Sequence, residues 1–149
     1  MTSYKLKLYS SKKNKNLIKL IEDFGRVYNH FIALVNKYYR IYKKTPHFFS
    51  LTKQATKIKK RKKYLWWKNL PSEGIANVCE RISASNELFF SNLKKGRVEE
   101  AGKPKFKKVK LYPSFTLGKA GYKFLGNGEI LIQGIKYKYF EKGREILGN

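Results

Sequence analysis

The stretch NKNLIKLIEDFGRVYNHFIALVNKYYRIYK, residues 14–43, decides the fold. Its large apolar positions are Leu17, Leu20 or Ile21, Phe24, Val27 or Tyr28, Phe31, Leu34 or Val35, Tyr38 and Tyr42. These recur at steps of three and four, which places them on one stripe of an α-helix. A strand period of two does not fit them. At 1.5 Å per residue such a helix is about 45 Å long, enough to act as a spine. The opposite face carries Lys15, Lys19, Arg26, Lys37, Arg40, Lys43 and Lys44 against only Glu22 and Asp23. The helix therefore buries one side and offers positive charge on the other. Gly25 sits inside it at a cost of about 1 kcal/mol relative to Ala, which predicts close packing against a neighbouring helix or a kink.

Before the spine, residues 3–9 alternate Tyr4, Leu6 and Leu8 with Lys5, Lys7 and Tyr9, the period of a half-buried strand with a basic outer face. Ser10 and Ser11 offer a helix cap. After the spine, Thr45-Pro46 ends the helical run. Ser50 is predicted to cap a second helix over residues 51–64, with a thin apolar face of Leu51, Ala55 and Ile58. Residues 64–71 form a bulky connector containing Trp66 and Trp67. Core packing is the simpler role for both indoles, and base stacking the sharper one. Ser72 is predicted to cap a third helix, 73–95, that buries Ile75, Val78 or Cys79, Ile82, Asn86 or Phe89, Phe90 and Leu93. Gly96 ends it in a left-handed conformation.

From Gly102 onward the pattern turns to β. Residues 103–108 read as extended and basic, and Val109, Leu111 and 114–117 continue in strand-like fashion around Pro113. Residues 122–125 and 129–132 flank Gly126-Asn127-Gly128, a hairpin signal, and Ile135, Tyr137 and Tyr139 mark a last strand. One strand, three helices, then several short strands predict an α+β chain. The expected architecture is a small antiparallel, OB-like β-barrel interrupted after its first strand by a three-helix bundle. Residues 1–10 and 102–149 would build the barrel, and 11–101 the helical lobe.

Composition narrows the function. The 149 residues include 34 lysines and arginines against 10 aspartates and glutamates, a net charge of +24. Self-repulsion on that scale favours a polyanionic partner. Nucleic acid fits best, because ten Phe, eleven Tyr and two Trp supply faces for base stacking. An acidic membrane surface is the rival polyanion, but no lipidation signal and no apolar run of about 18 residues accompanies the charge. The single cysteine, Cys79, excludes an internal disulfide and a cysteine-based zinc site. It reads as a buried small hydrophobe in a reducing, cytoplasmic setting.

Several segments together carry a family resemblance: Tyr4-Lys5-Leu6-Lys7-Leu8, Arg26-Val27-Tyr28-Asn29-His30-Phe31, Leu70-Pro71-Ser72, Phe89-Phe90, Gly102-Lys103-Pro104-Lys105-Phe106-Lys107 and Ser114-Phe115-Thr116-Leu117. In this order and spacing the chain resembles the N-terminal half of TnpB proteins, transposon-encoded RNA-guided nucleases related to type V CRISPR effectors. The resemblance implies a wedge barrel split by a recognition lobe. It also implies contacts with a guide RNA scaffold, a guide–target RNA–DNA duplex and a short flanking DNA motif, and a prokaryotic, viral or mobile-element origin. Residues 136–148 resemble the stretch before that family's RuvC core, whose three acids and zinc ribbon have no counterpart here. A truncation, a split half that docks a separate RuvC chain, or an expressed fragment are the readings this leaves open.

Two-metal phosphodiester cleavage needs converging carboxylates, and the ten acids are scattered. His30 and His47 lack a metal-ligand spacing. The sequence therefore predicts a binding protein rather than an enzyme, with no metal and no cofactor. Phosphate contacts are expected from Lys5, Lys7, Arg26, Lys59, Lys60, Arg61, Lys103, Lys105, Lys107 and Lys108. Base or sugar contacts are expected from Tyr28, Asn29 and His30, and from Trp66, Trp67, Phe106 and Tyr112. A stand-alone DNA-binding regulator, recognisable by dimerisation on a palindromic site, is the alternative from another class.

Overall fold

In the computed structural model, which describes residues 3–141, the apolar stripe forms one helix, α1 (Asn14–Tyr42). Ser11 starts it: its carbonyl accepts from the Asn14 N–H at 3.1 Å and its hydroxyl from the Lys13 N–H at 3.3 Å. Burial is confined to the middle of the stripe, at Phe24, Gly25, Val27, Tyr28, Phe31, Ile32 and Val35. The outer positions, Leu17 and Tyr42 among them, stay partly or fully exposed.

The second helix, α2 (Phe48–Ile58), begins and ends earlier than the sequence predicts. Its cap is His47 rather than Ser50: the imidazole Nδ1 accepts from the Phe49 N–H at 3.4 Å. Leu51, Ala55 and Ile58 are buried, but the next position on that stripe is Lys62. With nothing apolar to bury there, the helix stops. The chain turns through Arg61 and continues as a 3-10 segment, Lys62–Asn69, broken at Tyr64. That segment buries Trp67, and Leu70 follows it into the core. Helix α3 (Ser72–Lys94) agrees with the predicted span, but Ser72 does not cap it. Pro71 occupies the cap position, and the Ser72 hydroxyl accepts from Lys59 Nζ at 3.1 Å. At the other end Gly96 has φ +71. Its N–H reaches Leu93 O at 3.1 Å, and the Arg97 N–H reaches Asn92 O at 2.9 Å, the Schellman pattern.

The described residues make an α+β fold divided into two compact units: those through Ile18 with those from Leu117, and Lys19–Thr116. The second unit holds the main core, where α1, α2 and α3 bury Phe24, Phe31, Leu51, Ile58, Trp67, Ile75 and Ile82. Residues 103–116 belong to this unit and contain no strand. They carry only a 3-10 turn at Val109–Leu111. Two of their aromatic side chains are used against the helices instead: Tyr112 is buried and Phe115 stacks on Phe24 at 5.3 Å. Gly25 packs closely as expected, but against Tyr112 of this segment rather than a helix.

In the first unit, β1 (Tyr122–Gly126), β2 (Glu129–Ile132) and β3 (Ile135–Lys138) form an open antiparallel sheet in that order. Asn127-Gly128 and Gln133-Gly134 all have positive φ, as type I′ hairpin turns require. Leu125 is an extra residue between the Phe124–Ile130 and Gly126–Glu129 pairs. The predicted first strand is reduced to one bridge, Leu8 to Tyr139, flanked by Tyr9 N–H to Lys138 O and Phe140 N–H to Lys7 O, both 2.9 Å. The described strands do not close into a barrel. The ends of the expected barrel, 1–2 and 142–149, lie outside the described residues.

The closest approach in the helical unit is at Gly74, where a Cβ would run into the Phe24 ring and lie 3.1 Å from the Thr116 carbonyl. Gly74→Ala is therefore expected to destabilise the protein by about 1–3 kcal/mol despite the better helix former. Urea denaturation measures this. An unchanged or raised midpoint would show that the helix and residue 116 separate easily.

Candidate nucleic-acid interface

Three residues of α1 that the sequence proposes as base contacts turn out to hold protein. Tyr28 is buried, and its hydroxyl donates to Lys105 O at 3.1 Å. The Asn29 side-chain amide donates to Lys107 O at 2.8 Å and accepts from the Lys107 N–H at 2.9 Å. A side-chain amide thus replaces a neighbouring strand. Burial raises the Tyr28 hydroxyl's pKa, with Tyr112 adding to the effect, so the group stays a neutral donor. His30 is half-buried, with its ring centroid 4.9 Å from Tyr64 and 5.2 Å from Trp67. Its pKa is lowered by burial first, and then by the cations Arg61 and Lys63. The His30 imidazole therefore packs in an aromatic nest that favours its neutral form.

The segment that Tyr28 and Asn29 hold is the basic strap 103–108. Lys105, Phe106, Lys107 and Lys108 are exposed on it, and Phe106 is 60% exposed. Two of its lysines also lie over aromatic rings. Lys103 Nζ is 3.9 Å from the Tyr39 centroid and 6.0 Å from that of Phe89, and Lys107 Nζ is 4.9 Å from Tyr28 and 5.7 Å from Tyr112. Sequence reasoning missed Tyr39 and Phe89. Both lie far along the chain from Lys103, and no local spacing links them to it.

The other predicted residues divide as follows. Lys60 and Arg61 are exposed beside Lys62 and Lys63, while Lys59 is tied to Ser72. Trp67 is 1% exposed, which removes it as a stacking platform, and Trp66 is half-buried against the same core. Tyr112 is 5% exposed and belongs to the core too; burial raises its pKa, partly offset by the charge and hydrogen bond of Arg81. Arg26 is paired with Asp23 at 2.6 Å and Glu22 at 3.8 Å, so two carboxylates already face its guanidinium. Lys5 and Lys7 are exposed in the sheet-bearing unit.

Among the described residues no group of three or more His, Cys, Asp or Glu gathers to hold a metal ion. Burial pushes the Cys79 thiol up to about 12, far from thiolate chemistry at neutral pH. No described helix is long and apolar enough to cross a membrane. No family model matches the sequence, and no curated protein is significantly similar to it.

Two outcomes are expected. Because His30 is harder to protonate folded than unfolded, its contribution to stability is complete above the unfolded pKa of about 6.5 and declines as pH falls below it. Denaturation from pH 7.5 to 5 should show a loss of stability that a His30→Phe variant lacks in part; parallel profiles would refute the assignment. Asn29→Ala should cost about 1–2 kcal/mol for two lost hydrogen bonds. It should also speed tryptic cleavage at Lys105, Lys107 and Lys108, read by limited proteolysis; wild-type cleavage rates would mean that the strap is held by other contacts.

Proposed function

We propose that this chain is a nucleic-acid-binding module, directed first at structured RNA and without a nuclease centre of its own. In this reading it works as the guide-RNA-gripping half of a TnpB-like system does. The sheet-bearing unit contributes to a wedge barrel, the helical unit acts as a recognition lobe, and an RNA–DNA duplex or a separate RuvC chain is a further partner. The observation that carries the proposal is the charge left without carboxylates. Between Asp23 and Glu73 there are thirteen lysines and arginines and no acid. Each ion pair among the described residues is local to one helical turn and involves only Arg26 or Arg97. The exposed lysines of α2, the connector and the strap therefore present charge that only an outside anion can balance.

The test compares a structured RNA with duplex DNA of equal length across a salt series. With about 6–10 phosphate contacts, affinity should fall by ~10³–10⁵ between 50 and 200 mM salt. RNA should retain a specific component that DNA lacks. Equal affinity for the two at every salt concentration would overturn the RNA reading, and no binding even at low salt would overturn the module itself.

A further inference from the structure

We propose that the strap 103–108 is a binding site for an unpaired stretch of RNA, with Phe106 as the platform on which one base stacks. This rests on the nucleic-acid reading above and names the part of the ligand that the strap takes.

Of the aromatic residues that the sequence offers as base contacts, Phe106 alone is well exposed. Tyr28, Trp67 and Tyr112 are buried, His30 is nested among rings, and Trp66 is half-buried. A phenyl ring 60% open to water forgoes the free energy of burial. The segment is not free to turn. Asn29 takes both backbone groups of Lys107, and Tyr28 takes the carbonyl of Lys105. The residues on either side of Phe106 are thus fixed by their backbone, and Phe106 between them is left exposed.

The flanking charges suit the same ligand. Lys105, Lys107 and Lys108 are exposed immediately beside the ring. Lys107 is held over the Tyr28 and Tyr112 rings, contacts that position an ammonium without neutralising it. A flat ring flanked in sequence by cations on a fixed backbone matches a strand whose base is free to leave its neighbours while its phosphates run past on both sides. A fully paired duplex offers the phosphates but keeps its base faces stacked within the helix.

The test uses the full chain, an unstructured oligoribonucleotide of about 12 residues and the same strand annealed to its complement, a length within the usual single-strand site size. The quantity read is the ratio of the two affinities at one salt concentration. Phe106→Ala should lower the single-strand to duplex ratio about tenfold, the order of effect of stacking one base on an aromatic ring, and Phe106→Trp should restore it. Far-ultraviolet circular dichroism confirms that both variants fold. A ratio unchanged in Phe106→Ala overturns the stacking site. So does preferential duplex binding by the wild-type chain, which leaves the broader nucleic-acid reading standing. Failure of both oligomers to bind removes that reading and this one together.

Discussion

Close approach at two glycines governs the helical unit. Gly25 lets the Tyr112 side chain lie against α1, and Gly74 lets the first turn of α3 press on the Phe24 ring. Phe24 in turn stacks on Phe115. Residues 112–116 are thereby seated on the helices by aromatic packing, which fixes where the preceding strap must run. Asn29 and Tyr28 then complete its attachment through backbone hydrogen bonds. Bulk at either glycine would move the aromatic floor and, with it, every lysine that the strap presents.

The way the cations are held decides how much charge reaches solvent. Arg26 is neutralised where it stands by Asp23 and Glu22, an exposed arrangement that adds little stability. Lys103 and Lys107 are held by ring faces. A quadrupole attracts an ammonium without carrying net charge, so the lysine is ordered and its field persists. A salt bridge would have ordered the same side chain and cancelled it. For the surface proposed to attract a polyanion, the aromatic partner is the better one, and the strap uses it twice.

Much of the fold was legible because it is local. The stripe of α1, the span of α3, the left-handed Gly96 and the Asn127-Gly128 hairpin each follow from spacing or from one residue's conformational preference. The failures share a cause as well. The start of α2 was misplaced because His47 is a less common cap than Ser50, and its end because the thin apolar stripe has nothing to bury at Lys62. Residues 103–116 alternate as a strand does, but the alternation reflects docking on helices that are distant in sequence. No pattern within those residues distinguishes an amide of α1 from a neighbouring strand as the hydrogen-bond partner.

The candidate site was half legible for a related reason. Tyr28 lies four residues after Phe24, and Trp67 falls where the connector must return to the core, so both are claimed by burial before any ligand competes for them. Asn29 and His30 neighbour that stripe and are drawn into its contacts. Phe106 has no such claim on it: it belongs to no helical stripe and is surrounded by lysines that hold the chain at the surface. In a chain this basic, position relative to the apolar stripe separates core rings from exposed ones better than residue type does. The same rule explains why most of the predicted lysines are exposed while most of the predicted aromatic residues are not. A lysine is rarely driven inward by packing, whereas an aromatic ring in the middle of the stripe is, as Phe24, Tyr28 and Phe31 are.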